Sequence, residues 1–399
     1  MSTSTPTDRL SAVVAQVVPE AIELSHQVHA SPEIAFEERR ASVWTAELLE
    51  HHGFEITRHV GGLETAFVGR WQGRARGHVI AFAGEYDALP EVGHGCGHNL
   101  MCSSSAGAAI AAAQTLGRDF DGEIRFIGTP AEEAGNGKVH LINAGAFDDV
   151  DVCLQIHPAD NTSAEVLCLA ITEVGVKFRG KLAHASGDPW LGKNALDAIV
   201  LLYTMISQWR QHLKPGERVH GIITHGGAAP NIVPDDTSGR WYLRTPIDDD
   251  LGAMIDRFRI MADAAAAATG CSVEVTEDAA MRLRTMLNNP TLLEVWRRHL
   301  ADAGLTDGPV DPNAGSTDMA NVSHELPTIH PYMAIAPSGT PGHSREFAAH
   351  AGGPDGDEML PQAMRVLAAS AIELLSRPEL VARAWAELRE QGGGGRRGG

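Results

Sequence analysis

The feature that most constrains the fold is a change of rhythm about 170 residues into the chain. Before it, "TAFVGRW", "HVIAFAGEYD", "EIRFIGTP" and "VDVCLQIH" read as short apolar strands, with residues 103–117 and 136–146 helical between them. Strand and helix alternating in this way predict an α/β sheet covered on both faces. From about residue 172 the order becomes strand "TEVGVKFRG", helix "NALDAIVLLYTMISQWRQHL", strands "RVHGIITHGG" and "TSGRWYLRTP", helix "DLGAMIDRFRIMADAAAAATG" and strand "CSVEVTE". That β-α-β-β-α-β order is ferredoxin-like. Helix "PTLLEVWRRHLADAG", strand "TIHPYMAIAP" and a helix over 357–377 then resume the first pattern. The expected organisation is one domain made of 1–171 and 286–391, interrupted by a second at 172–285. Residues 9–53 add two helices parted at Pro32 and closed by Gly53. The glycine-rich end, 392–399, is expected to be disordered.

Composition narrows the function. With 51 Asp+Glu against 32 Lys+Arg, the formal net charge of −19 argues against nucleic acid as a partner. Five cysteines are an odd number spread thinly, which speaks for a reducing compartment and against a disulfide framework. The start, "MSTSTPTDRL", lacks the apolar core of a signal peptide. The most apolar run, "SSSAGAAIAAAQTL", is too short to span a bilayer. A cytoplasmic protein with no membrane partner is expected.

Ligands of open α/β sheets bind beyond the carboxyl ends of the strands. "GEYD", "GTPAEE" and "QIHP" each follow directly on an apolar strand. Near that edge the sequence sets Cys96 and His98 in the glycine-bracketed "EVGHGCGHNL", the adjacent acids Glu132 and Glu133, His157, and His343 in "SGTPGHSREF". Singly, each has an ordinary explanation: a flexible loop, a solvated helix start, a hydrogen-bonded core histidine. Together they gather N, S and O donors that suit a borderline divalent metal. Five ligands fit a dinuclear centre completed by a bridging group and water, with one carboxylate left over as a general base. A nucleophilic Cys96 would leave the acid pair unexplained. A non-catalytic metal-binding module would be expected to lack the base, whereas Glu132 is present.

In order along the chain, "GEYDALPEVGHGCGHN", "TPAEE", "GKLAHAS", "PNIVPD" and "GSTDMANVSHELPTIHPY" resemble the motifs of a dinuclear metallopeptidase-like amidohydrolase family. Its members include aminoacylases, hippurate hydrolases and auxin-conjugate amidohydrolases, and the resemblance covers roughly residues 20–375. Asn99 stands where auxin-conjugate hydrolases carry aspartate, which points to the branch of p-aminobenzoyl-glutamate hydrolases and β-alanyl-lysine-type dipeptidases.

The resemblance implies a zinc-peptidase-like α/β catalytic domain with an inserted ferredoxin-like lid through which two chains pair. It makes Cys96, His98, Glu133, His157 and His343 the ligands of two divalent metal ions per subunit, with Cys96 bridging. Zinc is the first expectation, and manganese or cobalt also suit the set. His324, His330 and His350 are rivals for the place of His343. Asp87 would orient a ligand, and Glu132 would be the general base. His184 would reach the partner chain's site and stabilise the oxyanion, while Asn231 and Arg244 would contact a substrate carboxylate. From the residues alone, His184 reads better as a surface histidine after a strand, and Arg244 could equally be a solvated residue of a strand face. The expected activity is hydrolysis of the amide of an N-acyl or N-aroyl amino acid by a homodimer. Small or β-alanyl dipeptides, esters and carbamates are the alternatives.

Overall fold

In the computed structural model, which describes residues 6–312 and 315–394, the chain divides after Leu167 and after Thr285 into two units. The first unit opens with α1 (Pro6–His29), α2 (Arg39–His51), β1 (Glu55–Arg58), β2 (Phe67–Gln72), β3 (Ala75–Glu85), α3 (His98–Leu116) and β4 (Asp121–Thr129). The short α4 (Glu132–Gly135), α5 (Gly137–Asn143), β5 (Val152–Leu154) and β6 (His157–Ala159) follow. The second unit holds β7 (Ala170–Arg179), β8 (Ala183–His184), α6 (Ala195–Trp209), β9 (Arg218–His225), β10 (Ile232–Val233), β11 (Asp236–Thr245), α7 (Asp248–Thr269) and β12 (Ser272–Thr276). The chain then returns to the first unit as α8 (Pro290–Asp302), α9 (Met319–Glu325), β13 (Thr328–Ile329), β14 (Tyr332–Ala334), α10 (Arg345–Ala351), α11 (Pro354–Ser376) and α12 (Pro378–Glu390).

The main sheet runs β1-β2-β4-β3-β5-β13. Strands β4, β3, β5 and β13 are parallel, and β2 and β1 continue the sheet antiparallel. Register carries the functional consequence: Glu85 lies opposite Thr129, and Phe82 opposite both Phe126 and Leu154. The chain beyond each parallel strand therefore emerges on one edge. Behind that edge lies α3, whose run of serines and alanines is buried on every side against α1, α11 and β3. A helix apolar all round belongs inside a core, and its small side chains let the neighbours approach closely.

Two expectations shift. The apolar run 150–157 is not one strand: β5 stays in the main sheet, while β6 leaves it to pair with β14. The parallel ladder to residues 327–334 survives the break, with Cys153, Gln155 and His157 N–H donating to Pro327, Ile329 and Pro331 O. Helix α3 also starts five residues before the apolar run that betrays it, so His98 is its first residue.

In the second unit the four long strands are ordered β12-β7-β11-β9, all antiparallel. Asn194 caps α6 by accepting the N–H groups of Leu196 and Asp197, and Gly270 (φ +69°) closes α7 in the left-handed region. Strand β7 alternates buried and half-buried residues, and its Phe178 joins Trp241 of β11 and Phe258 of α7 in the core of the unit. The unit begins at Cys168, four residues before the boundary read from the rhythm, because β7 itself starts at Ala170. Of the end expected to be disordered, 395–399 lie outside the described residues, while Gly394 N–H donates to His324 O at 2.6 Å. No described helix is long and apolar enough to cross a membrane.

Candidate metal centre

The C-x-H loop is aimed by its glycines. Gly97 adopts φ +78°, and a Cβ there would sit 2.9 Å from Pro158. Only glycine lets the backbone turn this tightly against the residue that follows His157. Cys96, His98 and His157 consequently offer ligand atoms within 4.8 Å of one another, and so do Cys96, Glu133 and His343. The five side chains singled out from sequence thus form two groups that share the Cys96 sulfur.

Their orientation is held from behind. His98 Nδ1 faces Asp87 O at 2.9 Å and Asp87 Oδ1 at 3.0 Å, two acceptors, so it carries the proton and leaves Nε2 as the donor atom toward the centre. The other Asp87 oxygen accepts the Glu133 N–H at 2.9 Å. One buried carboxylate therefore orients two of the five candidates. His157 Nδ1 donates to Pro158 O at 2.6 Å, which turns Nε2 toward Cys96 Sγ, 3.3 Å away. His343, at φ +56°, is tied by its N–H to Gly95 O at 2.9 Å and lies with Nε2 3.5 Å from Glu133. Of its rivals, His350 pairs with Asp355 at 2.7 Å, while the buried His330 ring packs edge-on against His157 and stands beside the centre. His324 belongs to α9, and its carbonyl receives Gly394.

These residues fit a pair of divalent cations. Buried Glu133 Oε1 makes no hydrogen bond and lies 3.5 Å from His343 Nε2, while His98 Nε2 lies 3.1 Å from Glu85 Oε2, a crowding of polar atoms that a bound cation would relieve. Burial lowers His157 to about 4, so its imidazole is neutral at pH 7, as a ligand must be. Burial also pushes the Cys96 thiol up, and a nearby cation is what would favour its thiolate. His343 is exposed, which leaves one side of the centre open to solvent and substrate, as catalytic sites require.

Glu132 joins Glu85 and His98 in a third close group. Withdrawal from water, then the charges of Glu85, Asp318 and Glu133, hold its carboxyl well above the usual range. A carboxylate made more basic in this way can accept a proton near neutral pH. Glu85 and Asp318 themselves flank the buried Lys138, whose Nζ donates to them at 2.5 and 2.6 Å, while Asp318 also accepts the Lys138 N–H. The sequence reading passed over Lys138 and Asp318, and over Glu85 despite its place in "GEYD". A lysine in the polar run "AGNGKVH" looks like any surface lysine, and nothing local shows that it is buried. Asn99, fully buried, donates to Ser25 Oγ and Ala351 O and so fastens the start of α3 to its neighbours. An aspartate there could not make the contact to the carbonyl.

The remaining candidates belong to the second unit. His184 Nδ1 accepts the N–H of Gly187 at 2.9 Å and that of Ser186 at 3.3 Å, so its proton sits on Nε2 and the exposed tip is a donor. Asn231 O accepts from Ala185 N–H, next to His184, whose strand partner is Ile232. Both therefore sit at the tip of the ribbon by which β8 and β10 extend the β7–β11 ladder. Arg244 is elsewhere. It pairs with Ile171, eight residues along β11 from Asp236, or about 26 Å at strand spacing, and its guanidinium lies 5.9 Å from the Tyr242 ring.

The sequence profile described as peptidase family M20/M25/M40 matches residues 81–373. Xaa-Arg dipeptidase of Mus musculus is 35% identical over 400 residues, 95% of this chain and 92% of the relative. A p-aminobenzoyl-glutamate hydrolase subunit of Escherichia coli (strain K12) is 36% identical over 303 residues, 71% of this chain and 62% of the relative. Among solved structures, the aminobenzoyl-glutamate utilization protein from Klebsiella pneumoniae matches with a TM-score of 0.70 at 20% identity, over 91% of this chain and 98% of that one. A dinuclear metal binding peptidase from the M20 family of Bacillus subtilis matches with a TM-score of 0.67 at 21% identity, over 90% and 99%. At such identities the two structures speak for the fold alone.

Proposed function

The chain belongs to the peptidase family M20/M25/M40 and is a hydrolase; from that premise we propose that it cleaves an amide whose amine half is an amino acid with a free carboxylate. N-acyl or N-aroyl amino acids of the p-aminobenzoyl-glutamate kind are the first reading. Dipeptides are the second, favoured by the likeness to Xaa-Arg dipeptidase along nearly the whole chain. The observation that carries both is the convergence of Cys96, His98, Glu133, His157 and His343, with Glu132 beside them. Those five would hold two divalent cations, zinc first, with Cys96 shared. A bound pair supplies Lewis acidity that polarises the scissile carbonyl and makes a water more acidic.

The chain's own residues do the rest. Glu132 takes the proton of the attacking water and returns it to the leaving nitrogen. The His184 Nε2–H donates to the carbonyl oxygen as charge grows there, a contact worth roughly 3 kcal/mol in such sites. Arg244 grips the carboxylate with two parallel hydrogen bonds, and Asn231 adds a further contact. The distance along β11 means that the ribbon tip and Arg244 of one chain do not meet on one small substrate. The reading is of a homodimer in the cytoplasm, in which His184 and Asn231 serve the partner's site.

A mass-spectrometric hydrolysis screen of metal-reconstituted enzyme tests the chemistry. It covers N-acyl and N-aroyl amino acids, folate fragments, dipeptides, esters and carbamates. Turnover of carboxylate-bearing amides is expected, and turnover confined to esters would overturn the reading. Removing metal with a chelator should abolish turnover and lower the melting temperature, with zinc restoring both. Tight binding contributes about 4 kcal/mol when the metal is at a thousand times its Kd. Mixing inactive Glu132→Ala and His184→Ala chains should return about a quarter of wild-type activity, since half of the random dimers carry one intact site. Heterodimers that form yet stay inactive would remove His184 from the partner's site.

A further inference from the structure

Glu38 has no role in the chemistry above, yet it is fully buried within reach of the loop that carries the acid pair. Its Oε1 accepts the Phe36 N–H at 2.9 Å and the Ala131 N–H at 2.9 Å, and its Oε2 accepts the Thr65 hydroxyl at 2.9 Å. Both peptide donors belong to non-glycine residues in the left-handed region, Phe36 at φ +63° and Ala131 at φ +60°. Such residues keep that conformation only where their surroundings impose it. Ala131 immediately precedes Glu132, and the N–H of Glu133, which immediately follows it, is held by Asp87. Two buried carboxylates therefore grip the backbone on either side of Glu132. Asp87 also holds His98, so the ligands have their own support. The peptide entering Ala131, one residue before Glu132, depends on Glu38.

We propose that Glu38 is a positioning residue: by bonding the Ala131 peptide in its left-handed turn, it fixes the direction in which Glu132 projects toward substrate. The arrangement predicts which changes matter. A glutamine can accept both N–H groups through its carbonyl oxygen and donate its amide to Thr65 Oγ, whereas alanine can do neither. An aspartate keeps the charge but falls short by one methylene. Burial, then the charge of Asp87, raises the Glu38 carboxyl to about 7, consistent with a group enclosed in the core.

This inference rests on Glu132 being the base, so Glu132→Ala accompanies the test as a control. Steady-state kinetics on an amide turned over in the screen, cobalt(II) titration by absorbance, and thermal melting are measured for Glu38→Ala, Glu38→Gln and Glu38→Asp. Glu38→Ala should lower kcat about 100-fold while KM stays within threefold and two cobalt ions still bind. Glu38→Gln should recover kcat to within about tenfold of wild type, even if its melting temperature differs. Should Glu38→Ala not fold, Glu38→Asp decides, with an expected fall in kcat of about tenfold or more. A folded Glu38→Ala, or failing that a Glu38→Asp, with wild-type kcat would overturn the inference. So would a kcat loss that tracks lost cobalt, or one equal in the alanine and glutamine variants. An inactive Glu132→Ala beside an active Glu38→Ala sinks only the role of Glu38. An active Glu132→Ala sinks the reading of the base itself.

Discussion

Glu132→Ala is expected to lower kcat by roughly 10³- to 10⁴-fold, the upper range for loss of a general base, while the chain keeps its fold and its metal. None of the five proposed ligands is touched, so cobalt or zinc stoichiometry should stay at wild-type values. The stability of the variant is the more telling measurement. In the folded chain the Glu132 carboxyl is raised by withdrawal from water and by the charges of Glu85, Asp318 and Glu133. A carboxyl whose folded pKa lies above its unfolded value favours the folded state least once it is ionised, so wild-type stability declines as pH rises above about 4.5. Alanine abolishes that decline. In chelator, Glu132→Ala should melt at or above the wild-type temperature, with the difference widening from pH 4.5 upward. Loss of activity coupled to gain of stability is the signature of a group kept for chemistry. If the variant is inactive because it melts early, the catalytic assignment loses its support.

Lys138→Met is expected to be among the most destabilising single changes in the first unit, by about 3–5 kcal/mol, because it strands two buried carboxylates. Glu85 and Asp318 are 1% exposed or less, and both depend on the same ammonium. A melting temperature lower by roughly 5–10 °C is the expected reading. Adding Glu85→Gln and Asp318→Asn to Lys138→Met should recover much of the loss, since neutral amides are far cheaper to bury than charges. The pH dependence has a definite sign. Burial raises Glu85, yet the charges of Lys138, His98 and His330 prevail and lower it to about 2. Its contribution is complete above about 4.5 and is lost as pH falls toward 2, so the gap between wild type and Lys138→Met should narrow across that interval. A gap that stays constant from pH 5 to pH 2 would mean the triad is not what the lysine holds together.

The parts of this molecule that repeat or alternate were legible in the sequence. The β-α-β-β-α-β unit announces itself through two amphipathic helices and four strands, and the observed order β12-β7-β11-β9 is the one those elements form in a ferredoxin-like sheet. The five metal-ligand candidates were legible for a different reason. Cysteine, histidine and paired acids at the ends of apolar strands are conspicuous residue types in places where strands deliver side chains to a shared edge. What stayed hidden depends on burial, which one chain read by itself does not display. Lys138 and Glu38 are ordinary charged residues by spelling, and only the packing around them makes each an anchor. The separation of Arg244 from His184 was hidden too, because sequence proximity within one domain says nothing about which end of a strand a residue occupies.

The interruption of the first unit by the second has a consequence in time. Cys96, His98, Glu133 and His157 precede the insertion, whereas His343 follows it, roughly 190 residues after His157. At common rates of synthesis that interval lasts about 10–40 s. Through it, a growing chain carries four of the five proposed donors, while β13, which completes the main sheet, and α11, which covers α3, do not yet exist. The nascent chain thus carries most of the proposed metal set beside an open hydrophobic flank. Meanwhile the intervening segment, whose strands pair only among themselves, has everything it needs to fold first. Of the five proposed donors, His343 is the last to be synthesised.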